Sequence, residues 1–386
     1  MPDEPPAQLH GSQTPLADAV DQFLASKEKA QGGGAYVSTA GSVLNRFVED
    51  WAEPRGIDRI GDLDKYAFAR YAQYLKQRVR GAGIAPSTAH TYYDIVAAFC
   101  AWAVRRDLLA TNVARKTVAL EELPDSSGTA PDTQIWSRDT AEALLQWTTW
   151  KVDDALANDW GSVEQFVRDR ALVAALYYCG VRGAEVLKRG DDARRTGLRW
   201  RDVDLDSGSL PVLGKSQVRE QAPLPEHAAR YLCSHKRHQQ PASDDWPVFR
   251  SAHRPSIATA VWDQLGERHG PDGRAAIVES ELMLEDCSVE ELLRKHTLVP
   301  PALSTSGARH VLAQLSAESG VTVDGEAPKP HGARRGLGDV LYRRNPVDAQ
   351  EALRHRDIST THESYSGIKA AETSAAIDDV MDDTGD

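Results

Sequence analysis

The chain has 386 residues, more than one compact core usually holds, so at ~150 residues per domain it is expected to fold as two units with a small remainder. Its longest apolar stretch, Ala171 to Val181, is about half the ~20 residues that a membrane-spanning helix needs, and no basic segment with an apolar core opens it, which argues for a cytoplasmic protein with no membrane partner. The net charge of −12, from 57 acids against 45 bases, argues at face value against nucleic acid, yet residues 372–386 hold six acids and no base and Asp3 and Glu4 add two more, leaving residues 14–371 near neutral with 45 bases against 49 acids.

Two further features of composition bear on class. The bases are 12 lysines and 33 arginines, and a low-lysine, acidic composition suits both a salt-rich cytoplasm and an acidic protein from a GC-rich genome. Cys100, Cys179, Cys233 and Cys287 lie far apart, without a C-x-x-C pair or a histidine at zinc spacing, so reduced thiols are expected, with no metal and no cofactor.

After a disordered stretch at 1–13, four amphipathic segments follow one another. Pro15 to Lys29 places Leu16, Ala19, Val20, Phe23 and Leu24 on one stripe, ended by Gly32-Gly33-Gly34. Ser38 to Trp51 turns Val43, Leu44, Phe47, Val48 and Trp51 inward, and Pro54 and Gly56 close it. A third helix is expected from an Asp62 cap, with Leu63, Tyr66, Ala67, Tyr71, Tyr74 and Leu75 facing the core, ending at Gly81-Ala82-Gly83. The fourth starts at Pro86 and carries Tyr92, Ile95, Val96, Phe99, Trp102 and Val104 inward. Together they predict a four-helix domain over 14–118.

A polar stretch around Pro124, Asp125, Ser126, Ser127, Gly128 and Pro131 marks a linker, set at 119–136. The second domain, 137–371, opens with helices near Ser137 to Trp150 and Val163 to Cys179. Strand signals cluster only at Leu210 to Leu213 and Gln221 to Leu224, around the turn Gly214-Lys215-Ser216-Gln217. Helical patterns resume after Pro225, and 372–386 reads as an acidic disordered tail. The fold class expected is mainly α with one small β-hairpin.

Five places in the second domain could carry chemistry. Arg182 follows an apolar helix directly, and Glu185, three residues on, is placed to orient its guanidinium. Lys215 sits at the hairpin tip, where a lysine most often serves solubility. In Pro330-His331-Gly332-Ala333-Arg334 a helix start puts His331 and Arg334 on one face, an arrangement suited to a phosphate. His355 follows Leu353-Arg354. Thr360 and Glu363 stand at capping-box spacing, so a helix starting at Thr360 would carry Tyr365 in its first two turns.

The order Arg182, Lys215, His331-x-x-Arg334, His355, Tyr365 resembles the tyrosine recombinases, the lambda-integrase-like site-specific recombinases of phage-integrase type, and is similar to their archaeal members. The four-helix segment is similar to the SAM-like core-binding domain of that family, through Pro86-Ser87-Thr88, Tyr92, Phe99 and Trp102, followed by Thr111-Asn112-Val113-Ala114. The second segment is similar to their catalytic domain, a DNA breaking-rejoining fold. Departures are an insertion at Lys188 to Arg195 before Leu198-Arg199-Trp200-Arg201-Asp202-Val203, a hairpin tip with Lys215 as its one lysine, ten positions from His355 to Tyr365 where nine is commoner, and about forty residues between Pro255 and Pro300 without a counterpart.

The resemblance implies an enzyme that cleaves and rejoins DNA through a 3′-phosphotyrosine on Tyr365 and a Holliday junction, without metal or ATP. No acidic metal cluster and no G-x-x-x-x-G-K-[ST] loop stands in the chain. The implied roles are phosphate clamps for Arg182 and Arg334, proton donation to the 5′-oxygen for Lys215, proton acceptance or phosphate contact for His331, and a phosphate bond for His355. The implied partners are double-stranded DNA attachment sites, copies of the same chain as a tetramer on DNA, and accessory DNA-bending proteins. Arg78, Arg80, Arg105, Arg106, Arg115, Lys116, Arg335, Arg343 and Arg344 are candidate DNA contacts. Residues 367–377 are expected to dock on a neighbouring protomer. Two other readings stay open at this level, a type IB-like topoisomerase that uses the same chemistry and a DNA-binding module without catalysis.

Overall fold

A computed structural model of the chain describes residues 10–28, 34–125, 134–214, 217–284 and 287–362. Lys215, Tyr365, the expected docking segment 367–377 and the acidic tail lie outside the described residues, as do 1–9 of the expected N-terminal disorder. The chain divides into two compact units, 1–132 with Asp191–Arg194 and 133–190 with 195–386. It is mainly helical, and the one sheet among the described residues has two strands.

In the first unit, α1 (Leu16–Lys27), α2 (Gly34–Arg46), α3 (Lys65–Arg80) and α4 (Pro86–Arg105) surround one apolar centre, and a short α5 (Thr117–Leu120) packs on α3. The centre is built from rings: Phe47 stacks on Trp51 at 5.2 Å between ring centres, Tyr71 meets Phe47 edge-on at 4.8 Å, and Phe23 packs on Phe99 and Trp102 at 5.7 Å. Such pairs contribute about 0.5–1.5 kcal/mol each beyond the area they bury.

Several boundaries differ from the sequence expectation. The α3 cap is Asp64, whose carboxylate accepts from the Ala67 N–H at 2.6 Å, because Asp62 is engaged in the preceding 3₁₀ turn, accepting from the Arg59 N–H at 3.0 Å. The inward face of α3 is then Ala67, Phe68, Tyr71, Ala72 and Leu75, while Tyr66 is 55% exposed. On α4 the buried tyrosine is Tyr93, whose hydroxyl donates to the Ala114 carbonyl at 2.7 Å. Helix α2 begins at Gly34, the last residue of the glycine run read as a terminator and four positions before the expected start at Ser38.

The second unit is centred on α7 (Val163–Tyr178), packed against α6 (Arg138–Asn158), against α9 (Glu226–Gln239) and against α13 (Pro330–Arg344). Its buried run Ala171 to Tyr177 explains the longest apolar stretch as a core helix touched on several sides. The one-turn α8 (Gly183–Val186) leads toward the hairpin, β1 (Ser209–Leu213) antiparallel to β2 (Arg219–Pro223), in register Leu213 opposite Arg219. Helix α10 (Arg254–Ile277) is broken at Gly270-Pro271 and runs into a π-helical segment, Val278–Leu284. The remaining elements are α11 (Val289–Lys295), α12 (Thr305–Ser319), α14 (Pro346–Leu353) and a helical segment at 358–362. No helix among the described residues is long and apolar enough to cross a membrane.

The stretch set aside as a linker is shorter than 119–136 among the described residues. Ala119 is buried in the first unit, and Gln134 and Trp136 are buried in the second, at 1% and 0% exposure. Gln134 donates to the Val323 and Ala327 carbonyls and accepts from the Lys329 N–H at 2.9 Å, and the Trp136 N–H donates to the Gly332 carbonyl at 3.1 Å. These bonds fix the first turn of α13, which carries His331 and Arg334.

Candidate active site

Arg182 stands at the N-terminus of α8 and is held by the reciprocal arrangement its neighbour makes possible. Glu185 accepts from the Arg182 backbone N–H and from its Nη1, both at 2.8 Å. The carboxylate is also bonded by Arg354 Nη2 at 2.6 Å, so a side chain only 1% exposed receives three charge-assisted or backbone donors. The Arg182 side chain keeps 28% exposure and is the part of this pair open to a ligand.

Arg334, one turn into α13, is 3% exposed. Its Nη1 donates to the Gly180 carbonyl and its Nη2 to the Leu353 carbonyl, which ties the end of α7 to the end of α14. Gly180 has φ +55, and a Cβ there would lie 2.8 Å from Leu337 Cδ2, so the turn that aims this carbonyl at Arg334 requires glycine.

His331 keeps an exposed edge at the helix start, three positions before Arg334. Loss of solvation, then the charges of Arg335, Arg334 and Arg182, lowers its pKa to about 4. His355 behaves alike: burial, then Arg334, Arg182, Arg354 and His331, lowers it to about 4. Both imidazoles are therefore neutral near pH 7 in a cluster of guanidinium groups. An arriving phosphate anion would offset part of that positive field and raise the proton affinity of each ring.

His355 is fixed from two sides. Its backbone N–H donates to the Gln350 carbonyl at 3.0 Å, and Nδ1 lies 2.8 Å from Thr361 Oγ1, a fully buried residue. The helical segment holding Thr361 begins at residue 358, where Asp357 accepts from the Ser359 N–H at 2.9 Å, and not at Thr360 as the capping-box spacing suggested. Thr360 lies inside the segment, its N–H donating to the Asp357 carbonyl at 3.2 Å, and the Asp357 carboxylate takes the Ser359 N–H in the place of a cap. His362 Nδ1 pairs with the Tyr342 hydroxyl at 2.7 Å on α13. The chain is thus anchored at 361 and 362, three positions before Tyr365.

A cavity of about 970 Å³ opens beside Arg182 and His331, lined also by Arg189, Arg309 and Lys329. These last three bases, and Arg354 and Thr361, were missed by the sequence reading. A buried arginine has no periodic signature, and its partner Glu185 lies 169 positions away.

The structure brings Arg182, Glu185, His331, Arg334 and His355 together, with Arg335 next to His331. Arg343 and Arg344 lie in the last turn of α13, about 18 Å along the axis from His331 at 1.5 Å per residue, and Arg343 pairs with Asp339 at 3.0 Å. In the first unit Arg80, Arg105, Arg106 and Lys116 are exposed, and Arg78 lies over the Tyr74 ring. Arg115 is exposed too and pairs with Asp94 at 2.9 Å.

The chain is similar to known proteins in sequence and in fold. The tyrosine recombinase XerC of Xanthomonas campestris pv. campestris (strain B100) is 27% identical over 217 residues, 55% of this chain and 57% of that protein, and XerC of Mycobacterium sp. (strain KMS) is 29% identical over 247 residues, 64% and 68%. The chain thus matches little more than half the length of the first of these relatives. Among solved structures, the XerH site-specific recombinase bound to palindromic difH substrate in a post-cleavage complex has a TM-score of 0.58 at 15% identity, over 92% of this chain and 94% of that one. A lambda integrase (75–356) dimer bound to a COC′ core site has a TM-score of 0.51 at 14% identity, over 90% and 97%. These two likenesses show a shared fold. The Phage integrase family model matches residues 154–372, which hold all the residues of the cluster, and the chain belongs to that family.

Proposed function

We propose that this protein is a site-specific DNA recombinase that cuts and rejoins strands by transesterification through Tyr365. The observation that carries the reading is the convergence of two anchored arginines, Arg182 and Arg334, with two neutral histidines, His331 and His355, beside a cleft lined by further bases. A phosphodiester in that cluster would meet the open Arg182 guanidinium at its nonbridging oxygens, with buried Arg334 adding positive charge, and losing such a clamp typically costs ~10²–10³-fold in rate.

The chemistry balances without an added reactant. The Tyr365 hydroxyl oxygen bonds to phosphorus, its proton passes to neutral His331, and the bond from phosphorus to the 5′-oxygen breaks, that oxygen taking a proton from Lys215. His355 donates to a phosphate oxygen. The products are a 3′-phosphotyrosyl ester and a free 5′-hydroxyl, and the ester retains the bond energy, so attack by another 5′-hydroxyl rejoins strands without metal or ATP. Exchange between two duplexes calls for four protomers and passes through a Holliday junction, with attachment-site DNA as partner and DNA-bending proteins as accessories. The first unit, with Arg78, Arg80, Arg105, Arg106 and Lys116, and the basic residues Arg335, Arg343 and Arg344 of the second supply backbone contacts that position the duplex. The place of action is the cytoplasm.

The test is capture of covalent protein–DNA adduct from a library of nicked duplexes with randomised sequence, in which the cut strand loses a short 5′-hydroxyl fragment and cannot be resealed. Wild-type protein is expected to accumulate adduct. Tyr365→Phe should form none while binding the selected duplex within a few-fold of wild type, since only a hydroxyl is lost. Adduct at the wild-type level in Tyr365→Phe would refute the assignment.

A further inference from the structure

Helix α8 is a single turn, too short to hold its own shape, so Arg182 at its start depends on what fastens the helix from outside. Two arginines do so. Arg195 donates from Nη1 to the Ala184 carbonyl at 3.0 Å and to the Leu213 carbonyl of β1 at 2.8 Å, and from Nη2 to the Gly214 carbonyl at 2.9 Å. Arg354 reaches the side chain that orients Arg182. Its Nη2 donates to Glu185 Oε2 at 2.6 Å, and its Nε lies 3.4 Å from Glu220 Oε2 on β2.

Arg354 stands in a backbone conformation that does not suit it. It follows α14 with φ +54 and ψ +45, the left-handed region where a side chain strains the chain and glycine does not. Such a residue persists where the surrounding structure holds it, and here the hold is electrostatic. The Glu185 side chain is 1% exposed and also bonds Arg182. Without Arg354 the two would make a closed, neutral pair. With it the trio carries one net positive charge, so Glu185 can aim the Arg182 guanidinium while that charge stays available to an anion. Glu220 offsets less of the Arg354 charge, since its contact is longer and Nε makes no hydrogen bond. The same turn serves the rest of the cluster: the Leu353 carbonyl accepts from Arg334 Nη2, and the next residue after Arg354 is His355.

We propose that Arg354 is a positioning residue for the phosphate clamp, holding Glu185 so that Arg182 meets the scissile phosphate with its charge uncommitted. The proposal rests on the recombinase reading above. A displacement of about 1 Å at a group that meets the reacting phosphate can cost ~10²-fold in rate, so loss of this hold should be felt in the chemical step and little in DNA binding.

The test measures single-turnover adduct formation against DNA concentration on a nicked duplex, per folded molecule. Arg354→Gly relieves the backbone strain and Arg354→Met does not, yet both lose the bond to Glu185. Each is expected to be slowed ~10–100-fold at saturating DNA, with half-saturation within about 3-fold of wild type. Glu185→Gln should be slowed comparably, and adding Arg354→Gly to it should cost no more than about 3-fold further, because the two residues act through one interaction. Arg354→Lys keeps the charge without the fork, should be slowed ~3–10-fold, and carries the test if the glycine and methionine variants do not fold. A wild-type rate in Arg354→Gly or Arg354→Lys, a defect confined to half-saturation, or a double variant slowed by the product of the single effects overturns the proposal. If Glu185→Gln is slowed and the Arg354 variants are not, only the role of Arg354 is wrong. If wild type forms no adduct, the recombinase reading fails and this role falls with it.

Discussion

Trp51 and Glu185 are both withdrawn from water, at 1% and 7% exposure, but they sit in centres of opposite kinds. Around Trp51 the first unit stacks Phe47 face to face and sets Tyr71 edge-on, and the side chains there are explained by what they remove from water. Around Glu185 the second unit sinks a carboxylate and the Arg354 guanidinium, with Arg182 half-open at the edge, while Arg334 is buried on two carbonyls nearby. Buried ion pairs rarely out-stabilise well-packed apolar side chains of the same volume, because desolvation offsets their attraction. The second unit buries other ion pairs too, among them Arg168–Asp169 and Lys151–Glu318, and what sets this one apart is its place beside His331, His355 and an open cleft, an arrangement suited to holding a phosphate.

The contrast can be broken most forcefully at Glu185. Glu185→Ala leaves Arg182 without its orienting carboxylate and Arg354, 8% exposed, with one acidic neighbour fewer. Adduct formation should fall at least ~10²-fold and unfolding free energy by about 3–5 kcal/mol, the usual consequence of removing one partner from a buried pair. Unfolding by urea together with the adduct assay measures both, and a variant that loses stability but keeps the wild-type rate per folded molecule would reduce the cluster to a structural device.

Trp51→Ala is the counterpart in the first unit. It should cost a similar ~3–5 kcal/mol through lost burial and the cavity left behind, with cleavage chemistry per bound complex unchanged. A drop in the rate of the chemical step, read by single-turnover kinetics on saturating DNA, would contradict the division of labour between the two centres.

A smaller effect separates the histidines. The folded pKa of His331 and of His355 is about 4, below the ~6.5 of an unfolded chain, so between those values the unfolded state binds more protons. The stability these groups contribute is complete above pH ~6.5 and is lost as the pH falls toward 4. The double variant His331→Gln, His355→Gln should accordingly lose less stability than wild type between pH 7 and pH 5. Identical urea midpoints shifts for the two proteins over that interval would show that other groups take up the protons.

The apolar stripes of α1 and α4 were legible in the sequence because burial on one face writes a period into it, and the two strands were legible in place though not in extent, read at 210–213 and 221–224 and lying at Ser209–Leu213 and Arg219–Pro223. Competition between nearby residues of the same type was not. Asp62 and Asp64 both suit a cap, and only the 3₁₀ turn that engages Asp62 decides between them; the choice of Tyr93 over Tyr92 rests likewise on the Ala114 carbonyl. At the site, Arg182, His331, Arg334 and His355 were found through their order along the chain. Arg195 and Arg354 were invisible, since what distinguishes them is burial against Leu213, Gly214, Glu185 and Glu220, a consequence of tertiary packing.

The most direct test is to identify the atom to which DNA becomes joined. Adduct trapped on a nicked duplex, digested with protease and nuclease and mapped by mass spectrometry, should carry a 3′-nucleotide phosphate on the Tyr365 oxygen, with a 5′-hydroxyl on the released fragment. Attachment at any other residue, or a 5′-phosphate on the released fragment, would contradict the account.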